Sequence, residues 1–420
     1  MVTRVADMGA CARRLVHATA GRLARHGAAT APGLVLALAL LLGAGLGGCG
    51  GGGSSLEANQ MRVRVRANPE IEAVDPGGSI PNLAYVSVGV CDASGRCVKV
   101  PDVQLDTGST GLRLRARSLA GLDLAPLVAA NGDRIDTCAA FGSGYLWGSV
   151  MAASVQLAGE APVELPIQVY GAGSPAPAVP AACASTGNDS GTLLALGANG
   201  LLGVDAIASD GSAYFACHGS TCTLLGSVAQ TEQVGNPVRR LGPHDDNGVI
   251  LSLPSIPASG AIQVQGTLTF GLDTRVDNRT MGFAAIPTDG YLRLNVAAQG
   301  SSHPRSIIDS ATNAYYGPLN LPYDGQYLFF TPRGLRILPI TLSSEGGTLP
   351  DVSVPSSIRI ADATSLSLAA YAYDDYGRYQ SARNIMVLGL PYFFGRSIAY
   401  AMAGTSSGLG TGPIIGVLRP

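Results

Sequence analysis

Two segments of this chain, with aspartates 203 positions apart (106 and 309), carry the same pattern. The first reads Val103-Gln104-Leu105-Asp106-Thr107-Gly108-Ser109-Thr110, the second Ser306-Ile307-Ile308-Asp309-Ser310-Ala311-Thr312-Asn313. Each is an apolar strand end followed by an aspartate, a hydroxyl residue, a very small residue and another hydroxyl residue. Each is followed far downstream by two apolar residues and a glycine, Leu201-Leu202-Gly203 and Val387-Leu388-Gly389. A coarse duplication of this kind predicts two halves of like build, each delivering one aspartate from the end of a strand.

The rest of the chain agrees with strands. Gly 56 and Pro 26 make up about a fifth of the 420 residues, and short Val/Ile/Leu/Thr runs bounded by Gly, Pro or Asn recur throughout. At 46% hydrophobic and 13% charged the chain is too apolar for disorder. Its length allows two lobes, each with a core. Tyr85–Val90 alternates as a strand, Cys91–Cys97 reads as a hairpin loop, and Val98–Leu105 returns toward Asp106. Further strands are expected at Val249–Leu253, Gly266–Phe270, Leu292–Val296 and Ser306–Asp309, with Val234–Asn247 as the boundary between halves.

The first residues are read as processing signals. Arg4, Arg13, Arg14, Arg22 and Arg25 precede an apolar run, Gly33–Leu46, too short to span a bilayer comfortably. It ends in Leu46-Gly47-Gly48-Cys49, which resembles the lipobox of bacterial lipoproteins; an ordinary signal peptide with an incidental cysteine is the other reading. The lipobox resemblance implies acylation of Cys49 and a tether at Gly50–Ser55, with Gly50 favouring the outer membrane. The division is then 1–48 signal peptide, 49–81 flexible tether and lead-in, 82–240 N-terminal β lobe and 241–420 C-terminal β lobe. Removing 1–48 takes five of 27 basic and one of 29 acidic residues, leaving 22 and 28, a formal charge of −6. No basic stripe with interleaved aromatics remains, so nucleic acid is not an expected partner.

Six further cysteines, Cys91, Cys97, Cys138, Cys183, Cys217 and Cys222, allow fifteen pairings in an oxidising compartment. Spacing favours Cys91–Cys97 and Cys217–Cys222 as local loops, which leaves Cys138–Cys183. Zinc is the competing use, but there is no Cys-x-x-Cys, and only His218, His244 and His303 follow the leader. No metal or cofactor is expected.

Two carboxyls facing one another across a pseudo-two-fold axis cannot both ionise easily, so one keeps its proton. The charged one can take a proton from water while the other polarises a carbonyl, which is general acid–base amide hydrolysis. The small residue at +2 lets the backbone offer N–H to the carboxylate, and the hydroxyls at +1 and +3 can tie the loops and the outer oxygens.

On these residues the chain resembles the pepsin-like aspartic peptidases. Asp106-Thr107-Gly108-Ser109 matches that family's first active-site loop, and Asp309-Ser310-Ala311-Thr312 the second, with Ala311 where Gly is usual. Phe141-Gly142-Ser143-Gly144-Tyr145 resembles the flap that closes over substrate, with Phe141 where the family has Tyr; Tyr145 takes that place if the hairpin is offset. Asn199–Val204, Tyr315–Pro318 and Leu388-Gly389 with Phe393–Arg396 are similar to other landmarks of the family. The whole pattern looks closest to uncharacterised proteobacterial lipoproteins. The resemblance implies an all-β, two-lobed acid-protease fold with a cleft between lobes. It implies a monomer held to the bacterial envelope by its lipid, at the periplasmic or surface face of the outer membrane.

The function expected is an aspartic endopeptidase acting on peptide or protein through Asp106 and Asp309. The alternative is an idle relative binding a peptide, glycan or protein partner in the same cleft. Ala311, Phe141 and the short 50–81 stretch, with little room for an inhibitory prosegment, motivate that alternative. Three other features read as structural. Asp189-Ser190-Gly191-Thr192 fits the same four-residue pattern but follows a polar stretch and is a turn. Trp147 is a packing residue, and Arg113 and Arg115 are solvated or ion-paired strand residues. No Gly-x-Ser-x-Gly elbow, His-Glu-x-x-His helix or phosphate-binding glycine loop occurs.

Overall fold

The computed structural model describes residues 56–345, 352–366 and 369–418. The leader, Cys49 and the tether lie outside them. The described chain is all-β, in one 15-stranded sheet, one seven-stranded sheet and a two-stranded ribbon, with only short helical turns between strands.

The lead-in differs from expectation. The stretch up to residue 81 is expected as tether and lead-in ahead of the first lobe, but Gln60–Val65 is a strand of the main sheet and Pro69–Val74 a short helix. The reason is period-two alternation: Met61, Val63 and Val65 are buried while Arg62 and Arg64 face out. Each buried aliphatic contributes about 2 kcal/mol, enough to order a short strand. The helix is capped by Asn68, whose Oδ1 accepts from Glu70 N at 3.0 Å. Gln60–Val65 pairs antiparallel with Val264–Phe270 along its whole length and touches Ala84–Cys91 at Arg64 and Val65. It therefore sews the first half of the chain to the second.

The sequence duplication is a duplication of topology. In the first half, Cys97–Asp106 runs parallel to Gly200–Val204, with Asp106 opposite Gly203. Gly200–Val204 is antiparallel to Thr110–Arg115, which is parallel to Val163–Tyr170. In the second half, Ser301–Ile308 runs parallel to Val387–Leu388, which is antiparallel to Tyr315–Gly317, itself parallel to Gly377–Tyr379. In both, a later strand is threaded between the two strands that flank an aspartate loop. The threading leaves no space for a side chain at its end. A Cβ on Gly203 would lie 2.6 Å from Ser109 O, and one on Gly389 2.2 Å from Ala314 O.

Between the halves lies a run of six neighbouring strands. Its order is Gln60–Val65, Val264–Phe270, Gly248–Leu253, Arg396–Ala401, Ile414–Leu418 and Ala284–Pro287. One continuous apolar cluster joins this run to both repeats, from Val103, Leu105 and Leu112 through Val249 and Leu251 to Ile308 and Leu388. The aspartate loops consequently stand on a shared base.

The disulfides among the described residues are the two that the spacing favoured, Cys91–Cys97 and Cys217–Cys222, and the one that then remained, Cys138–Cys183. Cys91 and Cys97 face each other across one hairpin, Cys217 and Cys222 across another. Cys138–Cys183 spans 45 residues. Closing a loop of that size restricts the unfolded chain by about 4 kcal/mol. Replacing both cysteines by Ser is expected to lower the unfolding free energy by about 2–4 kcal/mol, read from the denaturant midpoint. An unchanged midpoint would deny the bridge a structural role.

Candidate functional site

The two aspartate loops meet. Asp106 ends the strand Cys97–Asp106, Asp309 follows the strand Ser301–Ile308, and both are buried, at 4% and 9% exposure. Thr107 N donates to Ser310 Oγ at 3.1 Å and Ser310 N donates to Thr107 Oγ1 at 3.0 Å. This reciprocal latch uses the +1 hydroxyls that the pattern singled out. Ser310 Oγ also donates to Leu105 O at 2.8 Å.

Each carboxyl is held by its own loop. Asp106 accepts from Gly108 N at 2.8 Å and from the Ser109 hydroxyl. Asp309 accepts from Ala311 N at 2.9 Å and from Thr312 Oγ1 at 2.5 Å. The +3 hydroxyls thus grip the outer oxygens, as their placement suggested. A Cβ on Gly108 would lie 2.8 Å from Asp309 Oδ1, so the Asp309 carboxyl lies directly against the Asp106 loop. Ala311 leaves this arrangement intact, since its amide does what that of Gly108 does.

Tertiary partners brace the second loop in ways no local motif announced. Gln104 Nε2 donates to Ala311 O at 2.9 Å, and Asn82 Nδ2 donates to Asn313 O at 3.0 Å. Asn82 also ties to Tyr373, donating to its carbonyl at 3.0 Å and accepting from its N–H at 2.8 Å. Beneath the latch, Thr107 Oγ1 donates to the hydroxyl of Tyr400 at 3.0 Å. Gln104 sits two residues before the first aspartate, so its place on the strand is readable. Its partner across the interface is not.

Burial raises the pKa of both aspartates. For Asp106, the like charge of Asp309 adds to burial, and the bonds from Ser109 and Gly108 only partly compensate. For Asp309, the bonds from Thr312 and Ala311 oppose burial. Such a pair holds one proton between two carboxyls over a broad range. Gly108 is exposed and Ser109, Ala311 and Thr312 are half-buried, so solvent reaches the dyad from the loop side.

A third carboxyl stands behind the first loop. Asp205 donates its N–H to Ser109 O at 3.1 Å, and its Oδ1 accepts from Thr110 Oγ1 at 2.7 Å and Ile207 N at 3.1 Å. Burial pushes its pKa from 3.8 up to about 6. A folded-state value above the unfolded one gives stability that is complete below the unfolded pKa and lost as pH rises through about 6. Asp205→Asn is therefore expected to raise the unfolding free energy at neutral pH by about 1–3 kcal/mol and to flatten the pH dependence between about 6 and 4. Denaturant titrations at three pH values check this; a variant less stable at neutral pH would contradict it.

The hairpin Arg134–Phe141/Gly144–Gln156 turns at Phe141–Gly144, with Phe141 paired to Gly144. The ring of Phe141 lies over the guanidinium of Arg113, 5.9 Å from centroid to Cζ. Arg113 is not solvated: it is 2% exposed, bonds Gln168 Oε1 at 2.8 Å and pairs with Asp210 at 2.7 Å. Arg115 bonds Asn199 Oδ1 at 2.7 Å and lies 3.4 Å from Glu70. Tyr145 does not take the place of Phe141. It belongs to the opposite face of the hairpin, packed with Cys138, Trp147 and Phe215, because successive strand residues alternate faces. Its backbone pairs with Asn188 O and Ser190 N, both at 2.9 Å.

The remaining expectations concern structural residues. Asp189 Oδ1 accepts from Gly191 N at 2.7 Å and Thr192 caps Leu193–Leu196, so the look-alike motif is a turn and a cap. Trp147 donates to Pro177 O at 2.8 Å and meets Phe215 edge-on, 5.3 Å between centroids. Among the described residues, one group of metal-ligating types comes together, Asp136, Cys217 and Cys222. Its two sulfurs are bonded to each other and Asp136 is engaged by Arg134 and Ser149, so it offers no thiolate. No helix among the described residues is long and apolar enough to cross a membrane.

A search of curated proteins returns no relative. A family model described as Protein of unknown function (DUF3443) matches residues 55–416, which takes in both repeats and both aspartate loops, and the chain belongs to that family.

Proposed function

We propose that this protein is a two-lobed, pepsin-like aspartic endopeptidase whose dyad is Asp106 and Asp309. The observation that carries the reading is the pair of buried aspartates at the meeting of two topologically repeated loops, latched reciprocally through Thr107 and Ser310. In this reading the pair enters with a single proton, drawn on Asp106 with Asp309 charged, because burial raises both carboxyls and like charge keeps both from ionising. Water attacks the scissile carbonyl carbon, giving one proton to Asp309, while Asp106 protonates the carbonyl oxygen. The tetrahedral diol then collapses. The C–N bond breaks, Asp309 protonates the departing amine, and Asp106 recovers its proton from the diol. The hairpin carrying Phe141–Tyr145 serves as the flap over this step, seated on Arg113 through Phe141. The protein works at the bacterial envelope, held through a lipid on Cys49.

The test is cleavage of a peptide library at acidic pH and its inhibition by pepstatin. Pepstatin-sensitive cleavage supports the reading. A specific observation favours one competitor, a binding protein without turnover: Phe141 brings no hydroxyl to the flap tip, so it cannot hydrogen-bond a substrate. Pepstatin binding without any cleavage across pH 3–7 would select that competitor.

A further inference from the structure

The latch between the aspartate loops is not symmetric. On one side Ser310 Oγ donates straight to Leu105 O, the carbonyl preceding Asp106, at 2.8 Å. On the other side the corresponding carbonyl is Ile308 O, which precedes Asp309. Thr107 Oγ1 donates instead to the Tyr400 hydroxyl at 3.0 Å, and that hydroxyl donates to Ile308 O at 2.8 Å. One half of the latch is a single hydrogen bond; the other is a relay through a phenol.

Tyr400 is fully buried and lies in Arg396–Ala401, between Gly248–Leu253 and Ile414–Leu418. Its backbone is fixed by two flanking strands, so its hydroxyl is a rigid point in the shared base. The groups that act on it electrostatically are Asp309, Asp106 and the phenol of Tyr392. Burial first, then the two aspartates, push its pKa far up, so it stays a donor throughout the range in which carboxyls titrate. Both of its neighbours need it. Without the hydroxyl, Thr107 Oγ1–H loses its acceptor and Ile308 O loses this donor, each inside the protein.

We propose that Tyr400 is a positioning residue of the dyad, which spaces the Asp309 loop from the Asp106 loop through its hydroxyl and ties that spacing to the strands between the halves. Its kinetic consequence rests on the peptidase reading; its effect on the carboxyl pair does not. The experiment is Tyr400→Phe in the full chain, with Tyr85→Phe as control. Tyr85 donates an equally buried hydroxyl, to Gly197 O at 2.9 Å, away from the dyad. The decisive readout is the carboxyl 13C titration of the Asp106/Asp309 pair, assigned with Asp→Asn variants. Tyr400→Phe is expected to move the pair's titration by about half a pH unit or more, and Tyr85→Phe to leave it in place. Where peptide is cleaved, kcat should fall about tenfold with KM changed less than about twofold.

A pair that titrates in Tyr400→Phe as in the parent chain overturns the proposal, whether or not the protein cleaves peptides. A shifted pair in a protein that cleaves nothing keeps the positioning role and removes the peptidase reading. If Tyr400→Phe does not fold, 3-fluorotyrosine at position 400 retains the hydroxyl and strengthens it as a donor. A titration unchanged by that replacement overturns the proposal equally.

Discussion

Asp106→Asn and Asp309→Asn should each abolish pepstatin-sensitive cleavage, lowering kcat/KM by about a thousandfold or more while leaving the chain folded. The amide keeps the shape of the carboxyl and can still accept from Gly108 N or Ala311 N, so the loops lose little. What disappears is the proton shared between two buried carboxyls. Asn can neither take a proton from water nor give one to a carbonyl oxygen. The same pair sets the pH profile. Activity requires one proton on the dyad, and Asp106 holds it to higher pH than an ordinary aspartate because of burial and the charge of Asp309. Activity should therefore decline as pH rises through that raised value, and decline again at lower pH once Asp309 is also protonated. Unfolding curves measured beside the kinetics separate lost chemistry from lost structure. Robust cleavage by either variant would end the peptidase proposal.

Gly108→Ala should also be damaging, though less than either aspartate variant, and Ala311→Gly close to silent. A Cβ on Gly108 would lie 2.7 Å from Asp309 Cγ and 2.8 Å from its Oδ1. Asp309 cannot swing aside freely, because Ala311 N and Thr312 Oγ1 both hold it. The methyl must push the carboxyls apart, and a displacement of about 1 Å at reacting groups costs about a hundredfold in rate. Ala311 already carries its methyl, half-buried, and its amide still reaches Asp309 at 2.9 Å. The departure from the usual glycine falls on the loop that tolerates it. Equal activity of Gly108→Ala and the parent enzyme would show that the loops are not packed this closely.

The strands around Asp106 are legible because apolar residues recur along them between turn signals. Tyr85–Val90 was expected and Ala84–Cys91 is observed, and Val98–Leu105 lies within Cys97–Asp106. Leu292–Val296 was two residues early for Leu294–Ala298, where Tyr291, Leu292 and Arg293 belong to a turn fixed by the Asp289 carboxylate. The strand Gln60–Val65 was missed although its alternation is regular, because three arginines in five positions read as a polar lead-in. Of the two readings open for Arg113, solvated or ion-paired, the structure shows the second, buried, and the choice between them was not legible in the sequence. Its environment is made by Gln168, Asp210 and Phe141, all more than 25 positions away.

For the aspartate pair, the sequence by itself determined the ingredients. It supplied an aspartate at each of two strand ends, hydroxyls at +1 and +3, and a small residue between them. It also carried the downstream glycines, because each of these acts within its own loop or marks a strand that must pass close. The tertiary structure alone decided that the carboxyls meet and that the +1 hydroxyls latch reciprocally. It alone decided that Gln104, Asn82 and Tyr400 brace one loop more than the other. Those contacts span 82 to 400 in the chain. Hydrogen bonds act over about 3 Å, so partners so distant in sequence leave no local pattern to read.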